Sequence, residues 1–370
     1  MRIAYFTDTY KPQVNGVTFV VAEHSKILAQ RHGVKIYAPA YELGHRDEVE
    51  GKVEVERYPS ISLPTYKEVN LPLVQIKRLE ESVVRFGPEI IHFHSPGPMG
   101  LSAMKIAREM KVPLVGTYHS LFSEILPRLP ISRWVPRNWI WHLSRRVFEK
   151  CDLVISPSGE IKRQMEAHGH KVRIEVVSNG IDTAAFLPKK KYGGKKAIFV
   201  GRVSHEKNID VVVRVFGRVV KALPEATFAI VGDGPAREEL EKLVGSLGLG
   251  GNINFLGYVK REILGEYYRG ADVFVTASEM EVQPVTILEA MACGLPVVGV
   301  SAAGVVDMVE EGKNGFLVKS GETSEMAEKI IETLATKTNE KLGRNARRWA
   351  EENDVRVSVA KIEKLYNELI

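Results

Sequence analysis

Cysteine is scarce in this chain: only Cys151 and Cys293 occur in 370 residues, far apart and within segments patterned as regular structure. That argues against a disulfide framework and for buried thiols in a reducing compartment. No apolar run approaches the roughly 20 residues that a membrane span requires. The amino terminus, Met1-Arg-Ile-Ala-Tyr-Phe-Thr-Asp8, turns polar too early to hold a signal-peptide core, so a cytoplasmic location is expected. Spacings such as Asp-x-Asp or His-x-x-x-His are missing, and no divalent ion is expected to be required. Ser-His-Asp, Cys-His and close carboxylate arrangements are missing too, which leaves no evident protein nucleophile. An apolar fraction of 44% and a charged fraction of 26% are those of an ordinary globular chain.

What is present is alternation. Ile3 to Thr7, Lys35 to Ala38, Ile90 to His94, Leu114 to Tyr118 and Leu153 to Ser156 read as strands separated by helical stretches, the pattern of a parallel sheet. The basic, glycine-containing stretch Leu187-Pro-Lys-Lys-Lys-Tyr-Gly-Gly-Lys-Lys196 reads as a linker. The alternation restarts with Ala197 to Val200, Thr227 to Val231, Ile253 to Leu256, Val273 to Thr276 and Pro296 to Val300. Residues 1–187 and 197–353 are therefore expected to form two α/β domains, with 188–196 between them. Residues 354–370 form an amphipathic helix with Val355, Val359, Ile362 and Tyr366 on one stripe, a candidate to pack back on the first domain. Two parallel-sheet domains with facing strand ends bracket one cleft. The net charge of +5 does not by itself separate nucleic acid, membrane and phosphorylated ligands.

The segment Glu281-Val-Gln-Pro-Val-Thr-Ile-Leu-Glu289, followed by Ala-Met-Ala-Cys-Gly-Leu-Pro, carries the strongest chemical signal. Pro284 suits a helix start and Gly294 its stop. Glu289 then falls in the middle of a helix apolar on most sides, where a carboxylate needs a partner or a polar cavity. The two glutamates are up to about 12 Å apart at 1.5 Å per residue, against about 5 Å between the carboxylates of retaining hydrolases. Two binding roles fit that spacing better than an acid and a nucleophile.

This segment resembles the paired-glutamate signature of the retaining GT-B glycosyltransferases of family four. Ile3-Ala-Tyr-Phe-Thr-Asp-Thr-Tyr-Lys-Pro-Gln-Val-Asn-Gly-Val17, Ser178-Asn-Gly-Ile-Asp182, Val200-Gly-Arg-Val-Ser-His-Glu-Lys-Asn208, Val231-Gly-Asp-Gly-Pro235 and Phe255-Leu-Gly257 are similar to recurrent family segments in the same order. The resemblance implies two facing Rossmann-like domains with a deep cleft, and a nucleoside-diphosphate sugar as donor with no cofactor required. It gives Arg202 and Lys207 the departing diphosphate, Glu289 the ribose hydroxyls and Glu281 the transferred sugar, with Glu279 as a rival for that last role. His119 would contact the sugar near the reacting centre. Gly16, Gly257, Tyr258, Gln283 and Val285 would complete the donor site. Val282-Gln283-Pro284 replaces the commoner Gly-Phe-Gly, and the proline removes one backbone donor. In the front-face mechanism proposed for such enzymes, the leaving diphosphate helps to deprotonate the acceptor hydroxyl.

On the acceptor side, residues 127–150 mix Arg128, Arg133, Arg137, Arg145, Arg146 and Lys150 with Trp134, Trp139, Trp141 and Phe148. Arg133, Trp134, Arg137, Trp139 and Trp141 are candidates for an anionic membrane surface or a lipid acceptor; the alternative is a helix with its aromatic face in the core. A soluble glycan acceptor, a nonhydrolysing nucleotide-sugar epimerase and a sugar-binding scaffold remain as rival readings. Val231-Gly-Asp-Gly-Pro-Ala-Arg237 ends in Arg where a dinucleotide fingerprint has Gly or Ala, which weakens a dehydrogenase reading. A nucleic-acid partner is not expected.

Overall fold

A computed structural model describes residues 1–41, 47–63, 66–119, 137–188, 193–335 and 338–370. They divide into two compact units, Met1–Asn179 with Val355–Ile370, and Gly180–Asp354. The division thus falls ahead of the basic 187–196 stretch, whose last residue, Lys196, already opens a strand.

The sheet of the first unit runs β10-β9-β8-β7-β1-β2-β4-β3. Its strands are β1 (Arg2–Phe6), β2 (Gly33–Pro39), β3 (Glu48–Glu50), β4 (Val53–Tyr58), β7 (Ile90–Phe93), β8 (Leu114–Thr117), β9 (Leu153–Ser156) and β10 (Ile174–Val176). All pairs are parallel except β3 with β4, and β5 (Ser60–Leu63) with β6 (Tyr66–Pro72) forms a separate antiparallel hairpin. Helices α1 (Gly16–Leu28), α2 (Ile76–Phe86), α3 (Pro98–Met110), α4 (Arg137–Phe148) and α5 (Gly159–Ala167) lie between strands. Strand β4, Val-Glu-Val-Glu-Arg-Tyr, does not show in the apolar pattern because two of its charges turn inward. Arg57 Nη1 donates to Pro39 O at 3.0 Å, and Glu56 accepts from Tyr58 Oη at 2.7 Å and pairs with Lys35 at 2.9 Å.

Order reverses between β1 and β7, so the crevice outside their carboxyl ends is where a ligand of this unit is expected. Asp8, just past β1, accepts from Met99 N at 2.9 Å and Ser95 Oγ at 2.7 Å, which ties this strand end to the first turn of α3. The apolar stripe of the last helix is buried in this unit's core in one cluster with Ile3, Tyr5, Val21 and Ile90.

The second unit is a six-stranded parallel sheet, β13-β12-β11-β14-β15-β16. Its strands are β11 (Lys196–Val200), β12 (Thr227–Val231), β13 (Ile253–Gly257), β14 (Val273–Thr276), β15 (Val297–Val300) and β16 (Gly315–Val318). Its helices are α6 (Ile209–Ala222), α7 (Arg237–Ser246), α8 (Arg261–Gly270), α9 (Val285–Ala292), α10 (Thr323–Ala335) and α11 (Thr338–Glu352). Helix α6 buries Val212, Val213, Val215, Phe216 and Val219 at helical spacing against Phe228 and Ile230 of β12. Here the order reverses between β11 and β14. The chain then returns to the first unit as α12 (Val355–Asn367). Among the described residues no helix is long and apolar enough to cross a membrane.

Burial raises the Asp8 carboxyl to about 6, while the hydrogen bonds from Met99 and Ser95 oppose the shift. With its folded pKa above the unfolded value, Asp8 contributes stability that is present below pH 4 and lost as pH rises through about 6. Asp8→Asn should therefore gain stability relative to the parent between pH 4 and pH 7, by no more than about 3 kcal/mol. Urea unfolding of both proteins at the two pH values checks this, and a difference that shrinks with rising pH contradicts it.

Candidate active site

The loops leaving β11 and β14 meet at the switch point of the second unit. After β11 come Gly201, the exposed Arg202 and buried Val203 and Ser204, then a single 3₁₀ turn, His205–Lys207. Asn208 ends the turn in left-handed conformation, φ 49°, and its side-chain amide donates to Ala277 O at 3.0 Å, just beyond β14. Asparagine is among the few residues that tolerate this backbone while reaching across with a short side chain. Gly232 must be glycine for a different reason: a Cβ there would stand 1.9 Å from Gly201 O.

This folding brings Lys207 onto Glu281, where the ammonium pairs with Oε1; the same oxygen accepts from Ser278 Oγ at 2.9 Å. The rival Glu279 is exposed and accepts from Ser320 Oγ. Glu281 is held by its backbone as well, since its carbonyl accepts from Gly304 N at 2.7 Å. Val282 and Gln283 are buried at 7% and 8% exposure, so this segment packs inward. Pro284 is the cap residue before α9, where the missing N–H interrupts no helical bond. Gly294 follows the helix at φ 77°, the expected stop.

Glu289 is 1% exposed in the middle of α9. Its two oxygens are taken separately: Arg261 Nη1 pairs with Oε1 and Tyr268 Oη donates to Oε2 at 2.8 Å. Burial raises the Glu289 pKa, and the Arg261 charge followed by the two hydrogen bonds opposes the rise. Both partners come from α8, and the Arg261 guanidinium lies 5.1 Å over the Phe186 ring. Arg347 of α11 bonds Ala292 O at 2.6 Å, Phe186 O at 2.7 Å and Thr183 O at 3.1 Å, anchoring the carboxyl end of α9 with a cation. Sequence pattern shows that Glu289 needs a partner but does not name Arg261 or Tyr268, because they lie on a different helix.

Other candidates divide. Gly257 ends β13 at φ 71° and accepts from Gly232 N at 2.8 Å, while Tyr258 is 63% exposed. Val285 is half-buried in the first turn of α9. In the first unit, Gly16 is not a loop residue but the first residue of α1, behind an Asn15 cap whose side chain accepts from Thr18 N at 2.9 Å. His119 follows β8 with its ring against His94, Nε2 to Nδ1, at 3.0 Å. Burial, followed by the nearby His24, lowers the His119 pKa to about 3, so its imidazole is neutral at physiological pH.

The arginine and tryptophan segment separates as well. Arg133 and Trp134 lie outside the described residues, and Arg137 opens α4. Trp141 is a correction: it is 7% exposed and stacks on His168 at 4.2 Å and Tyr118 at 6.3 Å, because helical spacing turns it toward the sheet. Trp139, two positions earlier on the helix, is 52% exposed. Among the described residues no group of three or more His, Cys, Asp or Glu side chains is arranged to hold a metal ion.

Residues 14–185 match the model of Glycosyltransferase Family 4, and residues 182–349 that of Glycosyl transferases group 1. The chain is 30% identical to an alpha-monoglucosyldiacylglycerol synthase of Acholeplasma laidlawii, over 87% of this chain and 86% of that protein. It is 33% identical to a sulfoquinovosyl transferase of Arabidopsis thaliana over 82% of this chain, and spans 61% of that relative's length. Its fold is similar to that of a sucrose-phosphate synthase from Thermosynechococcus elongatus, with TM-score 0.82 and 19% identity, over 100% of this chain and 98% of that one. HepE of Anabaena in complex with UDP-glucose gives TM-score 0.77 at 19% identity over 100% of both chains.

Gly304 lets the 281–283 backbone approach, since a Cβ there would stand 1.6 Å from Val282 O. Gly304→Ala should cost about 1–3 kcal/mol by overpacking. Gly245→Ala, in α7 with nothing within 4 Å of the added carbon, should instead stabilise by up to about 1 kcal/mol. Denaturant midpoints of the two variants should move in opposite directions.

Proposed function

This chain belongs to the glycosyltransferases of group 1 and family 4, and from that membership we propose that it moves a hexose, with retention of configuration, from a nucleoside-diphosphate sugar to the hydroxyl of a membrane lipid. The observation that carries this is the Lys207–Glu281 pair at the switch point of the second sheet, with Arg202 on the same loop. A departing diphosphate is the largest charge to be managed in sugar transfer, and preorganised cations are the usual answer to it. Glu281 pairs with Lys207. When a diphosphate draws the ammonium away, Glu281 is left as an acceptor-only group, which sugar hydroxyls satisfy. One exchange therefore assigns the cation to the phosphate and the carboxylate to the sugar.

Glu289 takes the ribose in this proposal. With one oxygen bonded to Arg261 and the other to Tyr268, the carboxylate is fixed in orientation and keeps lone pairs for hydroxyl donors. We propose that Gly16 lets backbone approach the diphosphate and that His119 contacts the transferred sugar as a neutral imidazole. The leaving diphosphate takes the acceptor proton, and position and charge supply the remaining catalysis.

The lipid acceptor is supported by the relative named for glucosylation of diacylglycerol. Support for work at an anionic surface comes from the exposed side of α4, where Trp139, Leu143 and Arg146 recur at helical spacing and Lys150 follows beyond its end. We place this work on the cytoplasmic face of the membrane, with the nucleotide sugar as the required small-molecule partner.

Incubation with labelled UDP- and GDP-hexoses should yield a lipid-soluble α-linked product when vesicles contain diacylglycerol, and little product with soluble glycans alone. Lys207→Ala should lower kcat/KM by about 10²-fold or more. Glu289→Ala should chiefly weaken donor binding and Glu281→Ala should chiefly slow transfer. Unchanged turnover in Lys207→Ala would remove the observation on which the proposal stands.

A further inference from the structure

Beside His119 lies a row of aromatic polar groups that the reaction as outlined does not use. His92 and His94 alternate on β7 and its extension, so they share one face of the sheet and stack 4.2 Å apart. Thr117 and His119 do the same on β8 and its extension. The two rows meet at His92 Nε2 to Thr117 Oγ1, 2.7 Å, and at His94 Nδ1 to His119 Nε2, 3.0 Å. His92 is satisfied at both ring nitrogens, because Nδ1 lies 2.5 Å from Tyr366 Oη, which in turn is 3.2 Å from Tyr5 Oη. His94 is different. It is 2% exposed, and its Nε2 has no hydrogen-bond partner among the described residues.

Both rings of the His94–His119 pair are neutral, since burial and neighbouring histidines press their pKa values down. One proton must then lie between Nδ1 of His94 and Nε2 of His119. If His119 supplies it, His94 carries its own proton on Nε2, an N–H sealed in the core without an acceptor. If His94 supplies it, the orphan is a bare ring lone pair. Unmet buried N–H groups are the rarer and costlier of the two. We infer that His94 is a positioning residue that donates from Nδ1 to His119 Nε2, and so fixes His119 as the tautomer whose remaining proton, on Nδ1, is the hydrogen bond it offers to a sugar oxygen. This rests on the proposed contact of His119 with the donor sugar. The consequence is directional: His119 approaches its substrate as a donor, matched to an oxygen that gains negative charge, and does not act as a base.

Selective ¹⁵N-histidine labelling of the full chain reads the tautomer directly. The His119 Nδ1 resonance is expected in the protonated range and Nε2 in the unprotonated range; the opposite assignment, or averaging of the two, overturns the inference without any variant. His94→Leu should average the His119 resonances and lower kcat about tenfold while donor KM changes little. His94→Asn, whose amide can donate from the same place, should restore both the tautomer and most of kcat. If His94→Leu leaves the tautomer fixed, His94 does not set it. Should His119→Ala leave transfer intact while the wild-type tautomer is as expected, the fault lies in the proposed sugar contact and not in the His94–His119 bond.

Discussion

A carboxylate buried in a helix cannot remain ionised without a partner, and the arrangement around Glu289 follows from that constraint. Desolvation works against the charge, so Arg261 and Tyr268 of α8 are both turned onto it. Arg261 in turn is steadied over Phe186, and the backbone of Phe186 is held by Arg347, which also binds the end of α9. Residues from α8, α9, α11 and the segment entering the second unit are thus linked into one network around Glu289. The loops of the Lys207–Glu281 pair adjoin the amino end of the same helix, so the orientation of α9 governs both groups.

The two units treat charge in opposite ways at their switch points. In the second unit, ionised groups are paired with one another: Lys207 with Glu281, and Arg261 with Glu289. In the first, burial shifts what could ionise toward its neutral form. His92, His94 and His119 are pushed toward the neutral form, and Asp8 is pushed upward although three hydrogen bonds link its carboxylate and backbone amide to Ser95 and Met99.

Much of this was legible in the sequence where periodicity carries it. The strands reaching Phe6, Phe93, Thr117, Val200 and Thr276, the Pro284 to Gly294 bounds of α9 and the stripe of α12 all follow from spacing. Periodicity does not say which of two nearby glutamates meets a lysine 74 positions away, and only the folded loops separate Glu281 from Glu279. It also fails for β4, whose inward charges mimic an exposed segment, and for Trp141, whose two-residue offset from Trp139 reverses its face. The dependence of His119 on His94 was invisible because it arises between adjacent strands, not along one.

The first unit is discontinuous in the chain. Its core includes Val359, Ile362 and Tyr366, and the buried hydroxyl of Tyr366 is the partner of both Tyr5 and His92. During synthesis, residues 1–179 therefore emerge with that polar pair unmet and wait for some 176 further residues, from Asn179 to Val355, before their last helix arrives. At about 5–20 residues per second the interval is roughly 10–35 s, all of it taken up by synthesis of the second unit. The ribosome thus makes residues 1–179 in a form that only residues 355–370 can complete.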